Sequence, residues 1–260
     1  MKTADFIKEH PVCCFCGGSV ASATIDHQPA KIIFPDKWRP KGLEFPACLR
    51  CNQQTSVDEC LLAFVARMGG SLRGTAEIDE GFKRALETLK VAKPDLLLRM
   101  RAMTADGRGG LNVDQPELDE RFCRIAAKLA MGLYYEERRK IVSTCSLVNA
   151  FWTHNQREGD KELVPKVLSM FPSSRHLKQG KKDTEDTFYI RYVVDGPTVQ
   201  FGAVFYESVA LMAHFDDTCE YSEGHDWQYA FTPHPGVGIK TVSVGGDGGK
   251  AWHEAVMRRA

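Results

Sequence analysis

A chain of 260 residues with 43% hydrophobic and 26% charged side chains is long enough to bury a real core, and without low-complexity tracts it has the make-up of an ordinary globular protein. Lysine plus arginine balances aspartate plus glutamate at 34 each, which excludes a global electrostatic case for nucleic-acid binding, so any DNA contact must rest on local patches. No run approaches membrane-spanning length, Met1 to Cys16 lacks the apolar core of a signal peptide, and the nine cysteines are odd in number, so the expectation is a soluble cytoplasmic protein without disulfides and with no membrane partner.

Residues 1–12 read as a short lead-in with one helical turn before Pro11. Two Cys-x-x-Cys knuckles follow, Cys13 with Cys16 and Cys48 with Cys51. Two such pairs in a reducing compartment suit a tetrahedral zinc ion, whose site would be closed and would leave no position for substrate or reactive water. Cys14 packs or points away, with an exchange between Cys13 and Cys14 left open. Gly17 and Gly18 supply the tight backbone of the first knuckle. Ala23 to Ile25 is β-compatible and delivers Asp26 and His27 at its end, Pro29 stops regular pairing, residues 34–42 read as an irregular loop, and Leu43 to Phe45 can return as a strand. The expected local fold is a β-hairpin followed by a helix, stapled at both ends by one zinc, with the helix starting near Cys48 and carrying Asn52.

Beyond the knuckles, Ser56 and Glu59 resemble a capping box opening a helix with Val57, Cys60, Leu61, Phe64, Val65 and Met68 on one face and Gly69-Gly70 at its end. Apolar stripes predict further helices through Ile78, Phe82, Ala85, Leu86 and Leu89 and through Leu118, Phe122, Ile125, Ala126, Leu129 and Leu133, separated by the LLLRM segment after Pro94 and the turn at 107–110. Shorter helices are expected around 144–153 and 160–170, and YYEERRK at 134–140 reads as an exposed helix end. After a polar, basic loop at 172–183 the chain turns β-rich, with Asp195-Gly196 as a turn signal, WQYAFT and IKTVSV as further strands and a last helix near the C-terminus. The expected class is α+β: a zinc module over 1–56, a helical region over 57–171 and a β-rich region over 172–260.

The groups beside the knuckles suit phosphodiester hydrolysis. A histidine near neutral pKa can take the proton of an attacking water. A divalent cation can neutralise the charge gathering on phosphate, and magnesium needs little more protein than one carboxylate and one carboxamide oxygen. Asp26 and Asn52 supply those, and strand alternation sends Asp26 and His27 to opposite sides.

Asp-His-x-Pro between two Cys-x-x-Cys units, with Asn directly after the last cysteine, resembles the HNH endonucleases, also called His-Me finger or ββα-metal nucleases, in their zinc-stapled form with a His-Asn-Asn site. The resemblance covers about residues 12–56. It implies a treble-clef-like ββα-metal module with structural zinc on Cys13, Cys16, Cys48 and Cys51. It also implies His27 as general base, one magnesium or manganese ion on Asp26 and Asn52, and products with 5′-phosphate and 3′-hydroxyl ends. Asn52 stands where many members have a metal-binding histidine, and the family's middle asparagine has no counterpart here.

Around these residues Lys31, Lys37, Arg39, Lys41 and Arg50 can contact DNA phosphates or form a solvated face, with Arg39 the preferred clamp. Trp38 can stack on a base or enter the core. The basic loop at 175–182 reads as soluble chain, GGDGGK at 245–250 as a turn whose spacing fails as a phosphate loop, and Cys60, Cys123, Cys145 and Cys219 as buried thiols. Two functions follow as expectations. One is a metal-dependent endonuclease acting on DNA, with a bacterial or phage defence role by analogy and with residues 171–260 open to a protein partner or regulator. The other is a non-catalytic zinc module that binds nucleic acid or protein.

Overall fold

The computed structural model describes residues 3–34, 43–72, 80–103, 115–143, 146–154, 169, 171, 187–218, 230–231 and 240–243. The fold is mixed helix and sheet. Helix α1 (Thr3–Glu9) leads into a small antiparallel hairpin of β1 (Thr24–His27) and β2 (Glu44–Ala47), whose register pairs Thr24 with Ala47 and Asp26 with Phe45. A short 3-10 turn at Lys31–Ile33 leaves β1, and α2 (Leu49–Gln53) follows β2 at once.

Helices α3 (Ser56–Leu72), α4 (Glu80–Ala92), α5 (Pro94–Met103) and α6 (Gln115–Arg138) come next, then a sheet of β3 (Leu147–His154), β4 (Phe188–Asp195), β5 (Thr198–Phe205), β6 (Val209–Asp216), β7 (Ala230–Phe231) and β8 (Lys240–Ser243). The strand order is β4-β5-β6-β3-β8-β7. All its pairs are antiparallel except β3 with β8. Among the described residues no helix is long and apolar enough to cross a membrane.

Helix α6 joins the two halves. With 24 residues it is about 36 Å long at 1.5 Å per residue, enough to touch hairpin and sheet together. Against the sheet, Phe122 packs edge-on to Trp152 and Tyr134 against Phe215, while the Trp152 indole donates to Asp119 at 2.5 Å and Tyr192 donates to Glu137 at 2.9 Å. Toward the hairpin, Gly132 sits against the Phe45 ring, where a Cβ would come within 2.5 Å of ring carbon. Buried side chains from Cys13 to Phe215 thus form a single core cluster.

The helices around 56–68, 80–92 and 118–133 and the strands of the β-rich part stand where the sequence places them. Four local readings need correction. Residues 147–154 are a strand and not a helix: Val148, Ala150 and Trp152 alternate toward α6, and the partners that secure them, β6 and β8, are distant in the chain. The capping box of Ser56 and Glu59 does not form. Ser56 donates to the Gln53 carbonyl at 2.9 Å, Thr55 accepts the Glu59 amide through its carbonyl, and the Glu59 carboxyl is drawn into the interior. Helix α3 runs through Gly69-Gly70 to Leu72, and LLLRM belongs to α5. Tyr134 and Tyr135 are buried, since Tyr134 faces β6 and Tyr135 meets His10. The expected helices at 160–170 and at the C-terminus, the loop at 175–182 and the glycine turn at 245–250 lie outside the described residues.

Candidate metal centre and its polar neighbour

Sulfur ligands of Cys13, Cys16, Cys48 and Cys51, all buried, lie within 4.8 Å of one another. Tetrahedral zinc with bonds of about 2.3 Å holds its sulfurs roughly 3.8 Å apart, so a small contraction completes the shell. The local backbone explains the convergence. Gly17 and Gly18 take positive φ of 62° and 74°, curling the first knuckle back on itself, and the Cys14 amide donates to the Pro46 carbonyl at 3.0 Å, docking that knuckle on β2. Cys48 caps α2, with its sulfur accepting the Cys51 amide at 3.4 Å, the kind of N–H···S bond that steadies a thiolate ligand.

Three of these thiols, Cys13, Cys16 and Cys51, compete for negative charge. A hydrogen bond from Cys51 draws Cys13 down to about 5, whereas burial pushes Cys16 up to about 11 and the bond to Cys13 pushes Cys51 far above the ordinary thiol range. A divalent ion that takes all four as thiolates removes that conflict, and the cluster fits a structural zinc site. Cys14 is buried outside the cluster. Cys60 and Cys123 are buried as expected, whereas Cys145 and Cys219 lie outside the described residues.

The other candidate residues are placed by β1. Asp26 and His27 face opposite sides of the strand. His27 is about a third exposed, at 32%, with Nδ1 3.8 Å from Glu44 on β2. Asp26 points inward and is 2% exposed. Asn52 sits on α2, partly buried, with Nδ2 donating to Thr24 Oγ1 at 3.2 Å. Thr24 lies two residues before Asp26 on the same face, so Asn52 is brought to the Asp26 side of β1 while His27 is not. Lys31 and Arg50 are exposed; Lys37, Trp38, Arg39 and Lys41 lie outside the described residues.

What the sequence reading missed is the company that Asp26 keeps. Lys128 of α6 forms an ion pair with Asp26 Oδ2 and donates to Thr55 Oγ1 at 2.9 Å. Gln28 Nε2 donates to Asp26 Oδ1 at 3.1 Å and to Glu59 Oε1 at 3.3 Å, and Thr55 Oγ1 donates to Glu59 Oε1 at 2.9 Å. All five residues are buried, and the Phe15 ring stands 5.3 Å from the Lys128 ammonium. Burial raises the Glu59 carboxyl to about 8, with Lys128 working against the rise and Asp26 adding to it. A signal was present in the sequence: Lys128 is a lone lysine inside the apolar run IAAKLAMGL, and a buried lysine calls for an acidic partner.

Next to this cluster Asp58 receives Arg121 at 2.7 Å and Arg124 at 3.1 Å, so a second ionic link ties α3 to α6. Arg67 donates to the Ile33 carbonyl at 3.1 Å and lies over the Tyr206 ring, whose hydroxyl donates to the same carbonyl at 2.8 Å, fastening the turn after β1 to the sheet. Searches against protein-family models, curated proteins and solved structures found no match, so the resemblance to HNH nucleases rests on the residues of this chain alone.

Proposed function

We propose that residues 12–56 form a His-Me finger module of the HNH type that hydrolyses DNA phosphodiester bonds, with His27 as general base and one magnesium or manganese ion on Asp26 and Asn52. The observation that supports this most is the division of labour along β1. An accessible imidazole stands on one side, and a carboxylate stands on the other side, toward which α2 presents Asn52. Zinc bound by the four cysteines would hold hairpin and helix together and would have no open position for substrate.

In this reading His27 Nε2 takes the proton of the attacking water, and Glu44 beside Nδ1 steadies the imidazolium that results. The divalent ion, when bound, neutralises charge on the phosphate and the leaving oxygen. Arg39, Lys41 and Arg50 would position the DNA backbone. Target choice or control would fall to residues 171–260, and a defence role stays an analogy.

One observation favours the second reading, a non-catalytic zinc module for nucleic acid or protein partners. Asp26 is buried and already paired with Lys128, so the carboxylate can serve as a structural tie. Cleavage of plasmid and single-stranded DNA with magnesium, comparing the unaltered protein with His27→Ala, separates the two. The nuclease reading expects a loss of activity of about a hundredfold or more in His27→Ala. Undiminished cleavage in that variant would end this mechanism, and inactivity of both proteins on every substrate would favour the binding module.

A further inference from the structure

His27 and Glu44 stand opposite each other in the register of β1 and β2. One step further the Gln28 amide donates to the Leu43 carbonyl at 3.0 Å, so residues 28 and 43 form a hydrogen-bonded pair and His27 with Glu44 a non-hydrogen-bonded one. Side chains of such pairs stand closest across an antiparallel ladder, with Cα atoms about 4.5 Å apart. The backbone of the hairpin thus sets the carboxylate beside the imidazole. Among the described residues Glu44 is the carboxylate that meets His27. Asp26 is the neighbour in the chain, but it is turned to the opposite face and paired with Lys128.

Access to water divides the ring. The His27 side chain is 32% exposed, yet its Nδ1 is shielded from solvent and stands 3.8 Å from Glu44 Oε1. The exposure therefore falls elsewhere on the ring, and the nitrogen that can face water is Nε2. A neutral imidazole has one proton to place between the two. On Nε2 it would block the accessible edge and set the Nδ1 lone pair against a carboxylate. On Nδ1 it gives Glu44 a donor and leaves Nε2 with a free lone pair, and the partner of one ring nitrogen commonly decides the state of the other in this way.

We propose that Glu44 is a positioning residue that holds neutral His27 as the Nδ1–H tautomer, so that Nε2 is the proton acceptor on the accessible side. Its part then begins before any proton moves, and not only when the imidazolium forms. The inference rests on the nuclease reading for the role of His27 as base, whereas the tautomer can be read without any cleavage. A gap of 3.8 Å closes by a small rotation of the Glu44 side chain, and hydrogen bonds to a catalytic base are often long until substrate is in place. The bland alternative is a half-exposed cross-strand pair that leaves the tautomer to the solvent.

Side-chain nitrogen NMR of the zinc-loaded full chain, labelled with ¹⁵N-histidine, tests this directly, with His27→Ala identifying the resonances. The spectra belong at about pH 8.5, well above the ordinary histidine value of about 6.5, so that the ring is neutral. The unaltered protein should hold His27 as Nδ1–H, and Glu44→Ala should lose that preference. An Nε2–H ring in the unaltered protein, or a tautomer that Glu44→Ala does not move, would each overturn the proposal.

Zinc content and circular dichroism show whether Glu44→Ala folds, and Glu44→Thr, which suits a strand, takes its place should it not. In DNA cleavage with magnesium, Glu44→Ala should lower kcat by about tenfold or more and leave KM within about twofold. A raised KM with kcat unchanged would put Glu44 on the DNA and overturn the proposal. An Nδ1–H ring that depends on Glu44, in a protein that cuts no DNA, would uphold the pair and end the nuclease reading. Cleavage lost in His27→Ala but undiminished in Glu44→Ala would do the reverse.

Discussion

The hairpin of β1 and β2 and the sheet of β3 to β8 are both β-structure packed on α6, yet they are held by different physics. Each strand of the hairpin has four residues, too few to stand alone, and its inner face carries Asp26 where a sheet would carry an apolar side chain. Four clustered cysteines and a set of buried ionic links do the work that hydrophobic alternation does in the sheet. There Val199, Phe201, Ala203 and Phe205 of β5 stand beside Val209, Leu211, Ala213 and Phe215 of β6 in one apolar layer. A small unit at the end of a large core can thus afford polar groups inside, provided that a metal and a neighbouring helix fix it.

The largest effect that would sharpen this contrast is expected from breaking the four-cysteine cluster, which fits a structural zinc site. Cys48→Ser removes a ligand and the sulfur that accepts the Cys51 amide. Structural zinc sites contribute on the order of 10 kcal/mol to folding in isolated modules. The expected outcome is a protein without bound zinc in which the hairpin and α2 exchange their amide hydrogens freely, while β5 and β6 retain protection. A colorimetric zinc assay with hydrogen-exchange mass spectrometry measures both. Equal loss of protection in hairpin and sheet would mean that the two regions fold as one unit through α6.

Next in size is the ion pair that joins hairpin to helix. Asp26→Ala leaves the Lys128 ammonium buried beside Thr55 and Phe15 without its nearest carboxylate. Removing one partner of a buried pair costs roughly 3–5 kcal/mol. The double change Asp26→Leu with Lys128→Met should recover most of that, since a dry apolar pair needs no compensation. Chemical denaturation of single and double variants gives the coupling directly, and additive losses would show that the two charges do not interact.

A smaller and more local effect belongs to Gly132. Glycine in a helix interior is usually about 1 kcal/mol worse than alanine, so Gly132→Ala would ordinarily stabilise. Here the new Cβ would come within 2.5 Å of the fully buried Phe45 ring. The sign should reverse, with a loss of about 1–3 kcal/mol in denaturant unfolding from overpacking. Shortening the ring through Phe45→Leu in the same chain should restore part of it.

How far the sequence disclosed this arrangement follows from the same contrast. Metal ligands in two tight pairs announce themselves by spacing, and the hairpin between them was legible because its ends were fixed. Strands β4 to β6 were legible from their density of β-branched and aromatic residues. Strand β3 was not: LVNAFWTH is made a strand by β6 and β8, whose distance along the chain no local window spans. The turn between β5 and β6 was hidden too, because Tyr206 and Glu207 take positive φ of 51° without glycine, Tyr206 being held by its bond to Ile33. At the site, Asp26, His27 and Asn52 could be picked out by pattern, but Lys128 and Glu59 could not be joined to them. Their meeting depends on how α3 and α6 cross behind β1, which is a property of the packed core and not of any segment.

The most gradual effect, spread over several pH units, concerns Glu59 on α3, behind the hairpin. Burial holds its carboxyl protonated up to about 8, against an ordinary value of 4.5. The unfolded chain releases that proton above the ordinary value, while the folded chain keeps it until the higher one. Folding therefore takes up a proton across the window between them, and this group's contribution to stability is lost as pH rises from 4.5 toward 8. Glu59→Gln imitates the protonated acid, since a carboxamide can still accept from Gln28 and Thr55 as the carboxyl does. The variant should exceed the unaltered protein in melting temperature by a margin that widens from pH 6 to about pH 8 and levels off above it. Working above pH 6 keeps the cysteines on zinc, and leaving out other divalent ions keeps the carboxylates free of them. A margin that stays flat with pH would mean that Glu59 is ionised throughout.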